Sequence, residues 1–252
     1  MIESLPDISA IAILFFVGCT AGFLNVNAGG GSTLTLPALI FLGLDPSVAN
    51  GTNRLAIIIQ NISAVQSFKQ SNYKDFSTSL KLSLFTLPGA IAGAFIATRI
   101  NDELFQKILA IVIIGIIISM FIPQKKNSTD NSKPINNFLL YFSMIGIGFY
   151  GGFIQVGVGF LLMASLRYLM KLNLVMVNMH KVFIVLIYTL PAFFIFVLTD
   201  NVNWILGIVL AIGNATGAWW AAKFSIKKGE KFIKIILFVA VLIMALKLFN
   251  VF

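Results

Sequence analysis

Long apolar runs recur along this chain of 252 residues, and they constrain its fold more than any other feature. Each approaches or exceeds the roughly 17–25 residues that an α-helix needs to cross a bilayer. The runs cover residues 8–24, 76–98, 104–122, 138–153, 182–198, 204–222 and 232–249. The chain is 58% hydrophobic and only 11% charged, against about 25% charged in soluble domains. These runs predict an all-α integral membrane protein and exclude a soluble domain.

Two polar, glycine-rich stretches resemble each other at a spacing of 128 residues. The spacing pairs Asn27 with Gln155, Gly29 with Gly157, Gly31 with Gly159, Asn50 with Asn178, Thr52 with His180 and Asn53 with Lys181. Repeated breaks of this kind in a membrane chain are typical of secondary transporters whose substrate site lies between two repeats. We therefore expect a first transmembrane repeat over residues 1–122, a polar linker over 123–136 and a second repeat over 137–252.

Small residues recur in a second pair of matching positions, now 124 apart. Gly89 and Gly93 correspond to Gly213 and Gly217, and Arg99 corresponds to Lys223. Small residues four apart let two helix backbones approach closely in lipid. These glycines are therefore predicted to form helix-packing seams.

The direction of the second half depends on two short apolar pieces, residues 32–42 and 160–170. If both pieces cross the membrane, each half has five segments and the second half is inverted. With the N-terminus outside, 14 of the 18 Lys and Arg residues then lie on the inner side. If both pieces are re-entrant and return to the side from which they enter, the halves are parallel. The positive charges then divide more evenly between the two sides of the membrane. The positive-inside rule favours the inverted repeat of about five segments per half, with glycine-broken segments near the midplane. Whether both pieces cross fully stays open.

Charge placement favours an anionic substrate. All nine acidic residues lie at or near loops, whereas cation carriers place carboxylates inside the membrane. The net charge of +9 is explained by loop lysines that remain in the cytoplasm, so it does not indicate nucleic-acid binding. The single Cys19 gives no metal-binding spacing, and no cofactor motif is present.

The predicted substrate site combines the two breaks with the starts of the helices that follow. Glycines allow close backbone approach, and a helix N-terminus favours an anion. The predicted residues are Asn25, Asn27, Gly29, Gly30, Gly31, Ser32, Thr33, Asn50, Thr52, Arg54, Gln155, Gly157, Gly159, Asn178, His180 and Lys181. Simpler roles are open for several of them. The glycines can serve as hinges and packing contacts, Asn50 and Thr52 as helix caps, His180 as a cap or an interface residue, and Arg54 and Lys181 as flanking charges. Asn27 and Gln155 are expected to act as an equivalent pair of amides.

Both halves carry a signature that runs from a glycine-rich break into a polar helix start. In the first half it is Gly22-Phe23, Ala28-Gly29-Gly30-Gly31-Ser32, Leu36-Pro37 and Ala49-Asn50-Gly51-Thr52. In the second it is Gly151-Gly152, Gly157-Val158-Gly159, Asn178 and His180-Lys181. Over residues 8–250 the chain resembles the TauE/SafE family of sulfite and organosulfonate exporters. The resemblance implies an inner-membrane, multi-pass carrier of sulfur-containing anions built from two related halves. The second copy departs from the pattern, since Val158 replaces a glycine and Ser165 stands where Pro37 does.

The leading hypothesis is export of sulfite or an organosulfonate by alternating access. A membrane potential that is negative inside favours anion efflux by about 2.3 kcal/mol per charge per 100 mV. Proton-coupled uptake of a small organic anion through His180, and an anion channel, are the alternatives. A membrane enzyme is not expected, because the sequence has no paired carboxylates, catalytic triad or metal cluster. The exact substrate, the direction of flux, the coupling ion and the oligomeric state stay open.

Overall fold

The computed structural model describes residues 8–73, 75–121 and 137–248, and these residues form helices joined by short loops. The predicted linker at 123–136 and Lys74 lie outside the described residues. The helices are α1 (Ile8–Ala28), α2 (Ser32–Phe41), α3 (Pro46–Gln70), α4 (Phe76–Ala97), α5 (Asp102–Phe121), α6 (Asn137–Phe153), α7 (Val158–Leu169), α8 (Leu174–Leu198) and α9 (Trp204–Leu248). The prediction of an all-α chain is confirmed for the described residues.

Membrane-spanning character is clear in four helices of the described chain. By length and hydropathy, α1, α4, α8 and residues Trp204–Lys228 of α9 are long and apolar enough to cross a bilayer. Helices α2 and α7 have only 10 and 12 residues. At about 1.5 Å per residue, each spans roughly half of a 30 Å hydrocarbon layer. Neither crosses a bilayer by itself as a helix.

Two helices begin earlier than the sequence predicts. Helix α3 begins at Pro46, where the fixed φ of proline suits the first helical position. Asn50 and Thr52 therefore lie inside the helix, and the alternative role considered for them, capping this helix, is wrong. Helix α8 begins after Asn173, whose side chain accepts a hydrogen bond from Met176 N at 3.0 Å. His180 is consequently almost two turns into this helix, so the cap role considered for it is also wrong.

The end of the chain differs from the prediction of two segments, 204–222 and 232–249. The structure has one helix, Trp204–Leu248, through the lysine-rich stretch between them. Lysine, glutamate and isoleucine are all tolerated within helices, and this stretch contains no proline and only Gly229 as a weak helix former. Charge alone does not end a helix.

The two halves pack reciprocally, because the first helix of each half lies against the fourth helix of the other. On α1, a Cβ placed on Gly22 would lie 2.1 Å from Asn214 O of α9. On α6, a Cβ placed on Gly152 would lie 2.0 Å from Ala90 O of α4. The predicted seam glycines, Gly89, Gly93, Gly213 and Gly217, take part in the same contacts. The packing role predicted for them is confirmed.

The order in which residues of two helices meet along these seams gives the relative directions of the helices. Gly213 approaches Phe15 O and Gly217 approaches Cys19 O, so α1 and α9 run in the same direction. Gly89 approaches Ile145 O and Gly93 approaches Phe149 O, so α4 and α6 also run in the same direction. Helix α3 runs with α9 as well: Ser63 Oγ donates to Ala215 O, and Ser67 Oγ donates to Trp219 O. The loop between α3 and α4 is short, so these two helices run in opposite directions.

Unusual backbone angles follow the spacing found in the sequence. Positive φ occurs at Gly29 and Gly157, at Gly43 and Lys171, and at Asn72 and Asp200, and the members of each pair are 128 residues apart. A further match follows the spacing of 124. Arg99 lies 3.8 Å from the ring centroid of Phe95, and Lys223 lies 4.9 Å from that of Trp219. The internal repeat in sequence is thus accompanied by a repeat in local conformation.

Candidate substrate site

The two glycine breaks touch each other. A Cβ placed on Gly29 would lie 2.5 Å from the carbonyl carbon of Gly159, and one placed on Gly159 would lie 2.3 Å from Gly29 Cα. Real Cβ contacts do not approach backbone this closely, so only glycine fits at either position. Gly29 also has φ of +84°, which glycine adopts without steric cost. The two breaks therefore cross in backbone contact, and helices α1, α2, α6 and α7 converge on this point.

Lys181 of α8 ties the second half to the end of α1. Its Nζ donates to Val26 O at 2.7 Å, to Asn25 O at 3.0 Å and to Asn178 Oδ1 at 3.0 Å. The last carbonyls of a helix lack intrahelical partners and carry the negative end of its dipole. The buried ammonium of Lys181 therefore stabilises the broken end of α1.

Arg54 of α3 makes the reciprocal contact with the end of α6. Its guanidinium donates to the carbonyls of Gly151 and Gly152, and its Cζ lies 4.6 Å from the ring centroid of Phe196. Asn50 Nδ2 donates to Phe153 O at 2.8 Å, beside the same helix end. Each half thus supplies one buried cation to the broken helix of the other half.

A small cavity lies where the breaks cross, and it is called the crossing cavity below. Its lining residues are Asn25, Ser32, Ile57, Asn61, Gln155, Val158, Gly159, Lys181 and Val185. They come from both breaks and from α3 and α8, so both halves contribute. The cavity has room for about one water molecule. Five of the predicted site residues line it: Asn25, Ser32, Gln155, Gly159 and Lys181.

Asn61 is the polar lining residue that the sequence analysis missed. It lies in α3, is 2% exposed, and donates from Nδ2 to Ile57 O at 2.8 Å. The spacing of 128 pairs Asn61 with Thr189, which is also buried and polar. A search of the repeat for matched polar positions beyond residue 54 would have found it.

Gln155 and Asn27, which the repeat pairs, have different surroundings. Gln155 lies outside the helices, has φ of +67° and lines the crossing cavity. Its Nε2 is 3.1 Å from Thr189 Oγ1, while its buried Oε1 has no hydrogen-bond partner. Asn27 lies in the last turn of α1, where it accepts a hydrogen bond from Ser225 and donates to Phe23 O. Asn27 is thus engaged in helix packing, away from the cavity lining.

The remaining predicted residues are not among the lining residues of the cavity. Thr52 Oγ1 accepts from Asn203 N, just before α9, at 2.8 Å, and His180 Nδ1 of α8 is 2.8 Å from Ser79 Oγ of α4. Thr33 Oγ1 donates to Gly30 O within the first break at 2.6 Å. A Cβ on Gly31 would meet Ala21 O of α1 at 2.3 Å. Gly30 is buried in the first break, Gly157 has φ of +70° in the second, and Asn178 holds Lys181.

The electrostatics of the crossing cavity come from one cation and several neutral groups. Among the residues that the structure describes, no aspartate or glutamate lines the cavity, and Lys181 is the one ionisable group that does. The described residues contain no group of three or more His, Cys, Asp or Glu side chains arranged to hold a metal ion. In a low-dielectric site, a cation without a carboxylate partner attracts an anion.

Comparison with known proteins identifies the family. The model of the sulfite exporter TauE/SafE family matches residues 14–248. The chain belongs to this family. A probable membrane transporter protein of Sinorhizobium is 27% identical over 94% of this chain and 92% of its own length. A probable membrane transporter protein of Escherichia coli K12 is 28% identical over 94% of this chain and 89% of its own length. No solved structure matches the chain significantly.

Membership in the TauE/SafE family agrees with the apolar helices. The chain is a multi-pass membrane protein of a transporter family, with four candidate spans in its described part. A third relative, a probable membrane transporter protein of Haemophilus influenzae, is 28% identical over 90% of the chain. The sequence-based assignment to the family is confirmed.

Proposed function

We propose that this protein is a secondary transporter that exports a small sulfur-containing anion, sulfite or an organosulfonate, across the cytoplasmic membrane by alternating access. The observation that carries the proposal is the crossing cavity, because polar groups from both repeats converge there around Lys181. Binding sites between repeats, at broken helices, are the arrangement that secondary transporters use. The family model is named for sulfite export, which supports the substrate class.

Inverted repeats account for the helix directions. Helices α1 and α3 both run with α9, whereas α6 runs with α4 and therefore against α3. Helix α1 and its counterpart α6 are thus antiparallel. The glycine breaks that follow these two helices are in contact at Gly29 and Gly159, which suits a site near the membrane midplane.

Alternating access fits the size of the cavity. The cavity has room for about one water molecule. A sulfur oxyanion is larger, so its binding requires the helices to separate. Lys181 and Arg54 join the two halves through hydrogen bonds to helix ends, so rocking of one half against the other changes these contacts. An open anion channel would need a continuous polar path instead. Proton-coupled uptake through His180 has less support, because His180 contacts Ser79 and does not line the cavity.

A thermal-shift screen of candidate anions is the first test of the proposed site. The purified protein is heated with sulfite, thiosulfate, taurine, isethionate or chloride, and the unfolding temperature is measured. A ligand that binds the folded state raises this temperature by mass action. We expect a sulfur oxyanion to raise it at concentrations where chloride does not. Equal effects of all these anions would contradict a specific sulfur-anion site.

Replacing Gln155 separates its role from that of Asn27. Gln155→Ala is expected to weaken anion binding by roughly 10- to 150-fold, because a hydrogen bond to a charged ligand contributes about 1.5–3 kcal/mol. Gln155→Glu should weaken it further through repulsion. Asn27→Ala is expected to lower thermal stability with less effect on affinity, since Asn27 contacts Ser225 and Phe23. Titration of one identified ligand against the three variants checks this, and unchanged affinity in Gln155→Glu would place Gln155 outside the site.

The inverted topology predicts that the α3–α4 loop and Lys227 share the cytoplasmic face. In a Cys19→Ala background, cysteines at Lys74 and Lys227 should react with an impermeant maleimide only after the cells are permeabilised. Arg99→Cys, at the end of α4, is the matched control and should react in intact cells. Labelling of either Lys74→Cys or Lys227→Cys from outside would contradict the arrangement.

A further inference from the structure

The crossing cavity is lined by two chemically different kinds of side chain. Asn25, Ser32, Asn61 and Gln155 present neutral polar groups, whereas Ile57, Val158 and Val185 are aliphatic. The aliphatic side chains are 2%, 5% and 5% exposed. An anion in this cavity therefore meets both hydrogen-bonding groups and hydrocarbon.

The cavity contains one positive charge. Within the described part of the chain, Lys181 is the single ionisable residue of the lining, and two of the three hydrogen bonds from its ammonium go to carbonyls at the end of α1. Arg54, the other buried cation described above, does not line the cavity, and its guanidinium is held by carbonyls at the end of α6. The partial negative charge of these helix ends offsets part of the positive charge. A second negative charge on the ligand would therefore have no counterpart in the cavity.

We infer that the crossing cavity selects a monovalent sulfonate with a small apolar substituent over a divalent oxyanion of the same size. The inference rests on the proposed function and narrows its substrate class. The ammonium and the amides would hold the SO₃⁻ group, and Ile57, Val158 and Val185 would contact the substituent. An unpaired charge in a low-dielectric site is costly, so a dianion leaves one charge uncompensated. A divalent oxyanion would also place an oxygen against these aliphatic side chains, where a methyl group would be favourable.

The pair methanesulfonate and sulfate tests this selectivity. Both are tetrahedral and similar in size, but methanesulfonate has one negative charge and one methyl group where sulfate has two charges and a fourth oxygen. Thermal stabilisation of the purified wild-type protein is measured across a concentration series of each. We expect methanesulfonate to act at a concentration at least about ten-fold lower than sulfate.

A variant with a second cation gives the converse test. Asn61→Lys adds a positive charge to the lining and is expected to shift the preference toward sulfate by about ten-fold or more. Asn61→Met is the control, because methionine is similar in length to lysine but has no charge. This variant should not shift the preference toward sulfate. If the Asn61→Lys protein does not fold, the wild-type comparison decides alone.

The outcomes separate the two proposals. Preference of the wild-type protein for methanesulfonate supports the inference. Lys181-dependent binding of sulfate at least as tight as that of methanesulfonate overturns it and leaves the proposed transport of sulfur anions standing. Absence of binding by methanesulfonate, sulfate, sulfite and isethionate alike overturns both.

Discussion

Replacing Lys181 with methionine is expected to abolish specific anion binding, because the crossing cavity then has no positive charge. Of the described residues that line the cavity, Lys181 is the one that is ionisable. Loss of one partner from a buried, hydrogen-bonded charge pair costs about 2 kcal/mol or more, which is a loss of at least roughly thirty-fold in affinity. Isothermal titration or thermal-shift titration of the purified variant with its best sulfur oxyanion measures this.

The same substitution also removes the hydrogen bonds to Asn25 O and Val26 O. Lys181→Arg controls for this effect, since it keeps the charge and the capacity to donate to the helix end. It should retain measurable binding, whereas Lys181→Met should not. A folded Lys181→Met protein with wild-type affinity would show that Lys181 only holds the end of α1.

Gly29→Ala is expected to disrupt the crossing of the two breaks and to lower stability strongly. The new Cβ would lie 2.5 Å from the carbonyl carbon of Gly159, so backbone must move away from backbone. The left-handed φ of +84° adds a cost of about 1–2 kcal/mol for alanine. The unfolding temperature and the yield of monodisperse protein in detergent measure the loss.

Gly43 provides a matched control within the chain. Its φ is +91°, but a Cβ there would have no heavy atom within 4 Å. Gly43→Ala should therefore lower the free energy of unfolding by the conformational cost alone. Gly29→Ala should lower it by about 1–3 kcal/mol more, the usual cost of forcing extra atoms into a packed region. Equal losses in the two variants would show that the contact between Gly29 and Gly159 relaxes easily.

Local features of the fold were accessible from the sequence. Apolar runs predicted the membrane helices, and the spacing of 128 residues anticipated paired positive φ angles such as those of Gly29 and Gly157. Both signals are local: helix hydropathy depends on neighbouring residues, and glycine relieves a steric restriction in its own backbone. The break predicted between residues 222 and 232 failed because lysines interrupt hydropathy without interrupting a helix.

Contacts between the halves were not accessible in the same way. The sequence marked Lys181 and Arg54 as candidate anion contacts, but their partners at the ends of α1 and α6 are about a hundred or more residues away along the chain. Only packing determines that Lys181 faces the cavity while Arg54 does not. Asn61 was missed because α3 is too polar to stand out as an apolar run. The repeat treats Asn27 and Gln155 alike, yet α6 ends before Gln155 whereas α1 includes Asn27.

Counterflow in proteoliposomes tests the transport proposal most directly. Vesicles that contain the purified protein are loaded with a high concentration of an unlabelled sulfur oxyanion and diluted into a trace of the labelled anion. A carrier that alternates its access is expected to concentrate the label transiently inside the vesicles, and Lys181→Met should abolish this accumulation. A wild-type protein that conducts the anion without transient accumulation would be a channel, and one that moves no sulfur oxyanion would contradict the proposed function.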